Sequence, residues 1–244
     1  MPSPSLFTPH AFTDHRSPLP PMNYTTLISV ADLAAHSDDP GLVIFDCRHE
    51  LTDATVGTRV YGESHIQNAR FAHVDKNLSA PPNGKNGRHP LPDPAVFMEW
   101  LGKAGVSNNK QVVGYDASGG VYASRLWWML RWVGHAKVAV LNGGWQAWLA
   151  AGHPVTKEVP GPKTAKFIGR ADRSAVDAGH VLNNLNSPAM RLIDARSNDR
   201  FRGQNETIDP VAGHIPGALN RFFKDNLDTQ GMFKSVAELR AAFA

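Results

Sequence analysis

Two stretches of this chain repeat each other at nearly one offset. Leu192-Ile193-Asp194-Ala195-Arg196 echoes Ile44-Phe45-Asp46-Cys47-Arg48, and Gly213-His214-Ile215-Pro216-Gly217-Ala218 echoes Ser64-His65-Ile66-Gln67-Asn68-Ala69. Asp46 and Asp194 stand 148 residues apart, His65 and His214 149. A shared offset in two separated blocks is what a duplicated unit leaves behind, and it bears on the domain count before any element is read. A length of 244 residues accommodates two units of ordinary size.

The offset divides the chain into residues 1–22, a Pro-rich extension expected to be disordered; 23–152, a first unit; 153–170, a linker with Pro154, Pro160 and Pro162; and 171–244, the N-terminal half of a second unit. Residues 1–21 hold six prolines, one Arg and no continuous apolar stretch, so neither a secretory signal nor a mitochondrial presequence is expected. Met22 is a candidate true start. No apolar run reaches the roughly 18–20 residues that cross a bilayer. The hydrophobic fraction is 42%, the charged fraction 19%, and the net charge of +3 is dispersed. Neither a nucleic-acid nor a membrane partner is expected from such a balance. One cysteine excludes an internal disulfide framework, and no cluster has zinc-site spacing. A reducing, cytoplasmic setting with no metal or organic cofactor follows as the expectation.

Along the first unit, Ser29-Val-Ala-Asp32 predicts a capped short helix through Ala35. Leu42–Asp46 reads as a strand buried on both faces. Residues 48–63 read as polar and irregular, and residues 65–74 as a second strand around Phe71. Residues 75–92 read as a long loop, and Asp93-Pro94 opens a helix over 95–104. Gln111–Tyr115 is a third strand, and Asp116-Ala-Ser-Gly-Gly120 a tight turn into a Trp-rich helix from about Val121 to Val133. A fourth strand over 137–141 and a helix over 145–151 complete the unit. Such alternation predicts an α/β fold, a parallel sheet covered by helices on both faces. The second unit offers a helix near 174–185, a strand over 191–194 and a helix over 236–243.

Val43-Ile-Phe-Asp46-Cys-Arg48, Tyr115-Asp116, Ala123-Ser-Arg125-Leu-Trp127-Trp128, Asn142-Gly143-Gly144-Trp145 and Gly213-His-Ile-Pro-Gly-Ala218 resemble a two-domain rhodanese-type sulfurtransferase. That family includes the thiosulfate and 3-mercaptopyruvate sulfurtransferases. Five motifs in the family's order and spacing cover roughly Asn23 to Ala244. The resemblance implies tandem rhodanese-like α/β domains, the first inactive and the second incomplete within these residues. It also implies a cysteine that takes sulfur from a small anionic donor as a persulfide and passes it to a thiophilic acceptor, cyanide or a thiol. A strand-to-helix loop suits such a thiol, because converging N–H groups depress its pKa and hold an anion. The oligomeric state is left open.

Arg200 matches the family position that binds the anionic donor, and a guanidinium fork suits sulfonate or carboxylate oxygens. The first unit has Thr52 at the matching place. Arg196 and His65 are possible supporting residues, although the first Gly-His-Ile-Pro-Gly-Ala copy has degraded around His65. Arg48 and Arg196 each follow a repeated Asp by two residues and are expected to tie down the loops of Asp46 and Asp194. Trp127, Trp128, Trp132, Trp145 and Trp148 are expected in the core. Asp116 occupies the place a nucleophile would take, and a carboxylate there makes a pseudo-site. Cys47, the only thiol, lies at the end of a buried strand and is expected to be inert. By the repeat offset, the nucleophile belongs near position 265, so residues 1–244 are expected to be inactive alone and to form part of a longer enzyme. The alternative is a non-catalytic rhodanese-like binding or regulatory module. A phosphatase on the same fold needs a Cys-x5-Arg loop, which the sequence lacks.

Overall fold

The computed structural model describes residues 21–161 and 163–244, so the expectation for the Pro-rich head falls almost wholly outside them. In chain order the elements are β1 (Leu27–Ile28), α1 (Val30–Ala35), β2 (Leu42–Asp46), α2 (Thr55–Glu63), β3 (His65–Ile66), β4 (Arg70–Phe71), α3 (Val74–Asn77), α4 (Pro94–Lys103), β5 (Gln111–Tyr115), α5 (Ala123–Trp132), β6 (Val138–Leu141), α6 (Gly144–Ala150) and β7 (Val155–Thr156). There follow α7 (Ala178–Asn184), β8 (Ile193–Asp194), α8 (Asn198–Phe201), β9 (Leu219–Asn220), a 3-10 turn over Phe223–Asn226 and α9 (Val236–Phe243).

The central sheet has the order β1-β6-β5-β2-β4, and every pairing in it is parallel. Its alternating side chains divide between two cores, as the two-residue period of a strand requires. Val43 and Phe45 face Phe97 and Leu101 of α4 and Leu126, Met129 and Leu130 of α5. Ile44, Val113 and Tyr115 face the other way, onto Leu33 of α1 and Trp148 of α6. Helices therefore cover both faces, as the alternation of apolar runs and Gly-rich turns implies. Of the tryptophans, Trp132 and Trp148 are core. Trp127, Trp128 and Trp145 are half-buried at its margin, Trp127 donating from Nε1 to the Thr25 carbonyl (2.8 Å).

Several expectations change. Leu27–Ile28 adds an edge strand, β1, and residues 65–74, read as one strand, form β3, which pairs with β7, and β4, at the other edge of the central sheet. Residues 55–63, read as irregular, form the helix α2, with Asp53 Oδ1 accepting from the Thr55 N–H (2.9 Å). The described residues of 153–170, read as a linker, lie strapped to the first unit. In that segment β7 pairs antiparallel with β3, the Ala165 N–H donates to Gly102 O (2.9 Å), and Phe167 is buried in the α4/α5 core. Beyond it, β8 and β9 form a second parallel pair. Ile193 and Leu219 on these strands are about half exposed, at 50% and 53%. Ser235 and Glu238 form a full capping box at the start of α9, which fixes its first turn.

Candidate functional site

The C-terminal ends of β2 and β5 lie side by side, and ligands of parallel α/β sheets gather at such ends. From β5 the chain turns at Asp116 into α5. The Asp116 carboxylate is 1% exposed and turned back into its own loop. Oδ1 accepts from the N–H groups of Ser118 (2.8 Å) and Gly120 (2.9 Å), Oδ2 from those of Tyr122 (2.8 Å) and Ala123 (2.9 Å). Four donors at a helix N-terminus form an anion cradle, and this chain fills it with its own side chain. Gly119 and Gly120, at φ 78° and 89°, make the turn possible.

The Asp-x-Arg repeats have the same geometry twice. Arg48 Nε donates to Asp46 Oδ2 (2.9 Å) and Nη2 to the same oxygen (2.6 Å), while Nη2 also reaches Ser64 O (2.5 Å). Arg196 Nε and Nη2 hold Asp194 Oδ2 at 3.1 and 2.6 Å, and Nη2 reaches Gly213 O (2.6 Å). Ser64 and Gly213 are themselves related by the repeat offset, so sequence and spatial repeats coincide. The expected loop-tying role of both arginines is what these contacts describe. Arg196 in turn holds the Asp194 carboxyl below the usual carboxylate range.

His65 is fully buried and stacks on Tyr61, with ring centroids 4.0 Å apart. Its Nδ1 lies 2.7 Å from Tyr61 O and its Nε2 3.2 Å from Glu158 O, so both nitrogens face backbone carbonyls. His214 stacks on Phe201 in the same manner (3.7 Å), with Nδ1 2.6 Å from Phe201 O. Both histidines fasten a turn to a helix end. His65 is not brought to the cleft where the other candidates meet.

That cleft, of about 700 Å³, lies between the Gly119–Ser124 turn and residues 195–233. Arg196 and Arg200 line it from one side, Gly119, Gly120 and Ser124 from the other, with Phe233 and Lys224 at its wall. Arg200 is already engaged. Its Nε and Nη2 donate to the two Glu206 carboxylate oxygens, both at 3.0 Å, and Nη2 also reaches Asp209 Oδ2 (2.9 Å). Hydrogen bonds from Arg200, and from the N–H groups of Asp209 and Ile208, pull the Glu206 carboxyl down to about 2. The two acids orient the guanidinium, and among the described residues Nη1 has no hydrogen-bond partner. Neither acid was foreseen from sequence. They sit in the loop after α8, where the repeat offset puts residues 58–61 of the helix α2 in the first copy.

Cys47 lies outside the cleft. It is fully buried, and among the described residues its Sγ has only the Phe45 carbonyl, 3.9 Å away, as a partner. Burial pushes its thiol well up, and the carboxylates of Asp116 and Asp46 add to the shift. Sequence spacing also did not reveal a convergence of His49, Asp75 and His89, whose ligand atoms lie within 4.8 Å of one another.

A family model, the rhodanese-like domain, matches residues 29–151. A protein of Pseudomonas aeruginosa named "probable 3-mercaptopyruvate sulfurtransferase" is 43% identical over 226 residues, 91% of this chain and 80% of that protein. The thiosulfate sulfurtransferase of Cricetulus griseus is 37% identical over 232 residues, 90% of this chain and 76% of its own length. The structure of 3-mercaptopyruvate sulfurtransferase from Leishmania major superposes with a TM-score of 0.79 at 31% identity. That match covers 90% of this chain and 61% of the other. With a sheet order and a strand-to-helix turn of the kind described above, these matches place the chain in the rhodanese family, among relatives that are sulfurtransferases.

Proposed function

We propose that this chain belongs to an enzyme that moves a sulfane sulfur from thiosulfate or 3-mercaptopyruvate to cyanide or a thiol through a cysteine persulfide. On this reading residues 23–152 form a catalytically silent rhodanese-like domain, and residues 171–244 supply the donor-holding part of a second. Arg200 binds the anionic donor, and Arg196 holds the floor of the site through Asp194. The observation that carries the reading is the cleft in which Arg200, oriented by Glu206 and Asp209, faces the Gly119–Gly120 turn. A guanidinium with one nitrogen free suits the oxygens of a sulfonate or carboxylate.

In the transfer itself a thiolate attacks the donor's outer sulfur. A new S–S bond forms, and either sulfite or the pyruvate enolate leaves with the electron pair of the old bond, the enolate then taking the proton of the donor's thiol. Residues 1–244 contain only the Cys47 thiol, and burial and neighbouring carboxylates keep it protonated. Asp116 accepts from the N–H groups that a reactive sulfur would need. We therefore expect these 244 residues to bind donor without turning it over. Calorimetric titration with thiosulfate should register binding that Arg200→Ala weakens by about tenfold or more, the size of a lost charge-assisted pair. Thiosulfate with cyanide should yield no thiocyanate above a protein-free blank. Turnover that Cys47→Ser abolishes would overturn the assignment.

The self-filled Asp116 cradle also favours a second reading, a non-catalytic rhodanese-like binding or regulatory module. It shares the binding result but predicts no persulfide in any longer form of the protein.

A further inference from the structure

His49 follows β2, Asp75 lies on α3, and His89 lies in the loop leading to α4; the fold alone brings the three together. His89 Nε2 is 2.9 Å from Asp75 Oδ1, and all three ligand atoms lie within 4.8 Å of one another. His49 is 5% exposed, and among the described residues its ring makes no hydrogen bond. The ring is held edge-on to Tyr122 at 5.1 Å and lies 6.1 Å from the His89 ring. An imidazole with no hydrogen-bond partner among these residues is open to a ligand. We propose that His49, Asp75 and His89 bind a divalent transition-metal ion, zinc by preference, with solvent in the remaining position.

The donor set fits such an ion. Two imidazoles and a carboxylate suit zinc and its first-row neighbours, whereas magnesium and calcium take oxygen ligands. Zinc bonds of about 2.0–2.2 Å separate tetrahedral ligands by roughly 3.3 Å. The His89–Asp75 edge is already at that scale, and small side-chain movements of these two partly exposed residues close the others. His73 stands close but is committed elsewhere, since its Nδ1 accepts the Asp75 N–H at the start of α3 (3.2 Å). That bond fixes the helix carrying Asp75. Arg125 fixes the third ligand's loop by donating from Nη2 to His89 O (2.9 Å).

The site is independent of the sulfur-transfer reading but adjoins its cleft. Arg88, next to His89, reaches Asp209 Oδ1 (3.4 Å), and the other oxygen of Asp209 holds Arg200. A metal on His89 would fasten the loop that makes this contact.

The test uses the 244-residue chain, stripped with a chelator and desalted. It is titrated with zinc sulfate by calorimetry and with cobalt(II) by its visible ligand-field bands. One equivalent per chain is expected. His89→Gln and Asp75→Asn, at partly exposed positions that leave the core intact, should each weaken it by more than about tenfold, and His49→Gln likewise. Zinc should raise the thermal midpoint of the unaltered chain and not of His89→Gln. Absence of a stoichiometric equivalent would overturn the proposal. So would an equivalent that persists in His89→Gln, an adventitious ion on others of the chain's 11 histidines.

Discussion

At the scale of single residues, Asp116 gives the sharpest link between sequence and chemistry. Its carboxylate closes four N–H groups at the start of α5 from a position 1% exposed. Asp116→Ala removes the acceptor and leaves those donors to whatever water enters the turn, so it should cost about 3 kcal/mol in urea unfolding. Asp116→Asn keeps one oxygen but sets an NH2 group against two N–H donors, and should cost roughly half as much. A loss below ~0.5 kcal/mol for Asp116→Ala would mean that the cradle is readily hydrated. The turn at Asp116 was legible because Asp-Ala-Ser-Gly-Gly directly follows the apolar run of β5. Glu206 and Asp209 were not legible, since an acid in an irregular loop carries no sign of the arginine it will meet.

At the scale of elements, apolar runs and cap residues marked β2, β5, β6, α1 and α4 well, since burial on both faces leaves an uninterrupted signature. Helix α2 was missed for a physical reason. It holds Gly57, Gly62 and the β-branched Thr55, Val56, Thr58 and Val60, all poor helix formers, and its register is imposed by packing on the end of β2. The two glycines separate the causes. A Cβ at Gly57 would collide with the backbone carbonyl of Arg48 and touch the Phe71 ring, whereas one at Gly62 would meet nothing within 4 Å. Gly57→Ala should therefore lose about 2 kcal/mol or more through displaced backbone. Gly62→Ala should gain about 0.5 kcal/mol by restricting the unfolded chain. Chemical denaturation of the pair decides the matter, and equal effects of one sign would refute the packing account.

At the scale of the molecule, the repeat announced two units but not how they meet. The joint sets residues outside any motif, Met232 and Phe233, against the Asn142-Gly143 motif of the first unit. The Phe233 N–H donates to Asn142 Oδ1 (2.8 Å), and Met232 packs beside Gly143. A chain of charges runs from Arg88 through Asp209 and Arg200 to Glu206. Glu206 makes that chain sensitive to acid. Its carboxyl titrates near 4.5 when unpaired and near 2 in the fold, with Arg200 the main cause. A depressed carboxyl contributes stability that is complete above its unfolded value and fades as pH falls towards the folded one. The contribution should thus be intact at pH 5 and above and decline between about 4.5 and 2. Asp194, held low by Arg196, acts in the same direction. Urea midpoints measured across this window should fall more steeply in the unaltered chain than in Glu206→Gln, which cannot take up that proton on folding or unfolding. Arg200→Ala, which removes the cause and leaves the acid, should flatten the same limb. Parallel profiles for all three proteins would show that the Arg200–Glu206 pair does not couple to folding, and the joint would then rest on its apolar contacts alone.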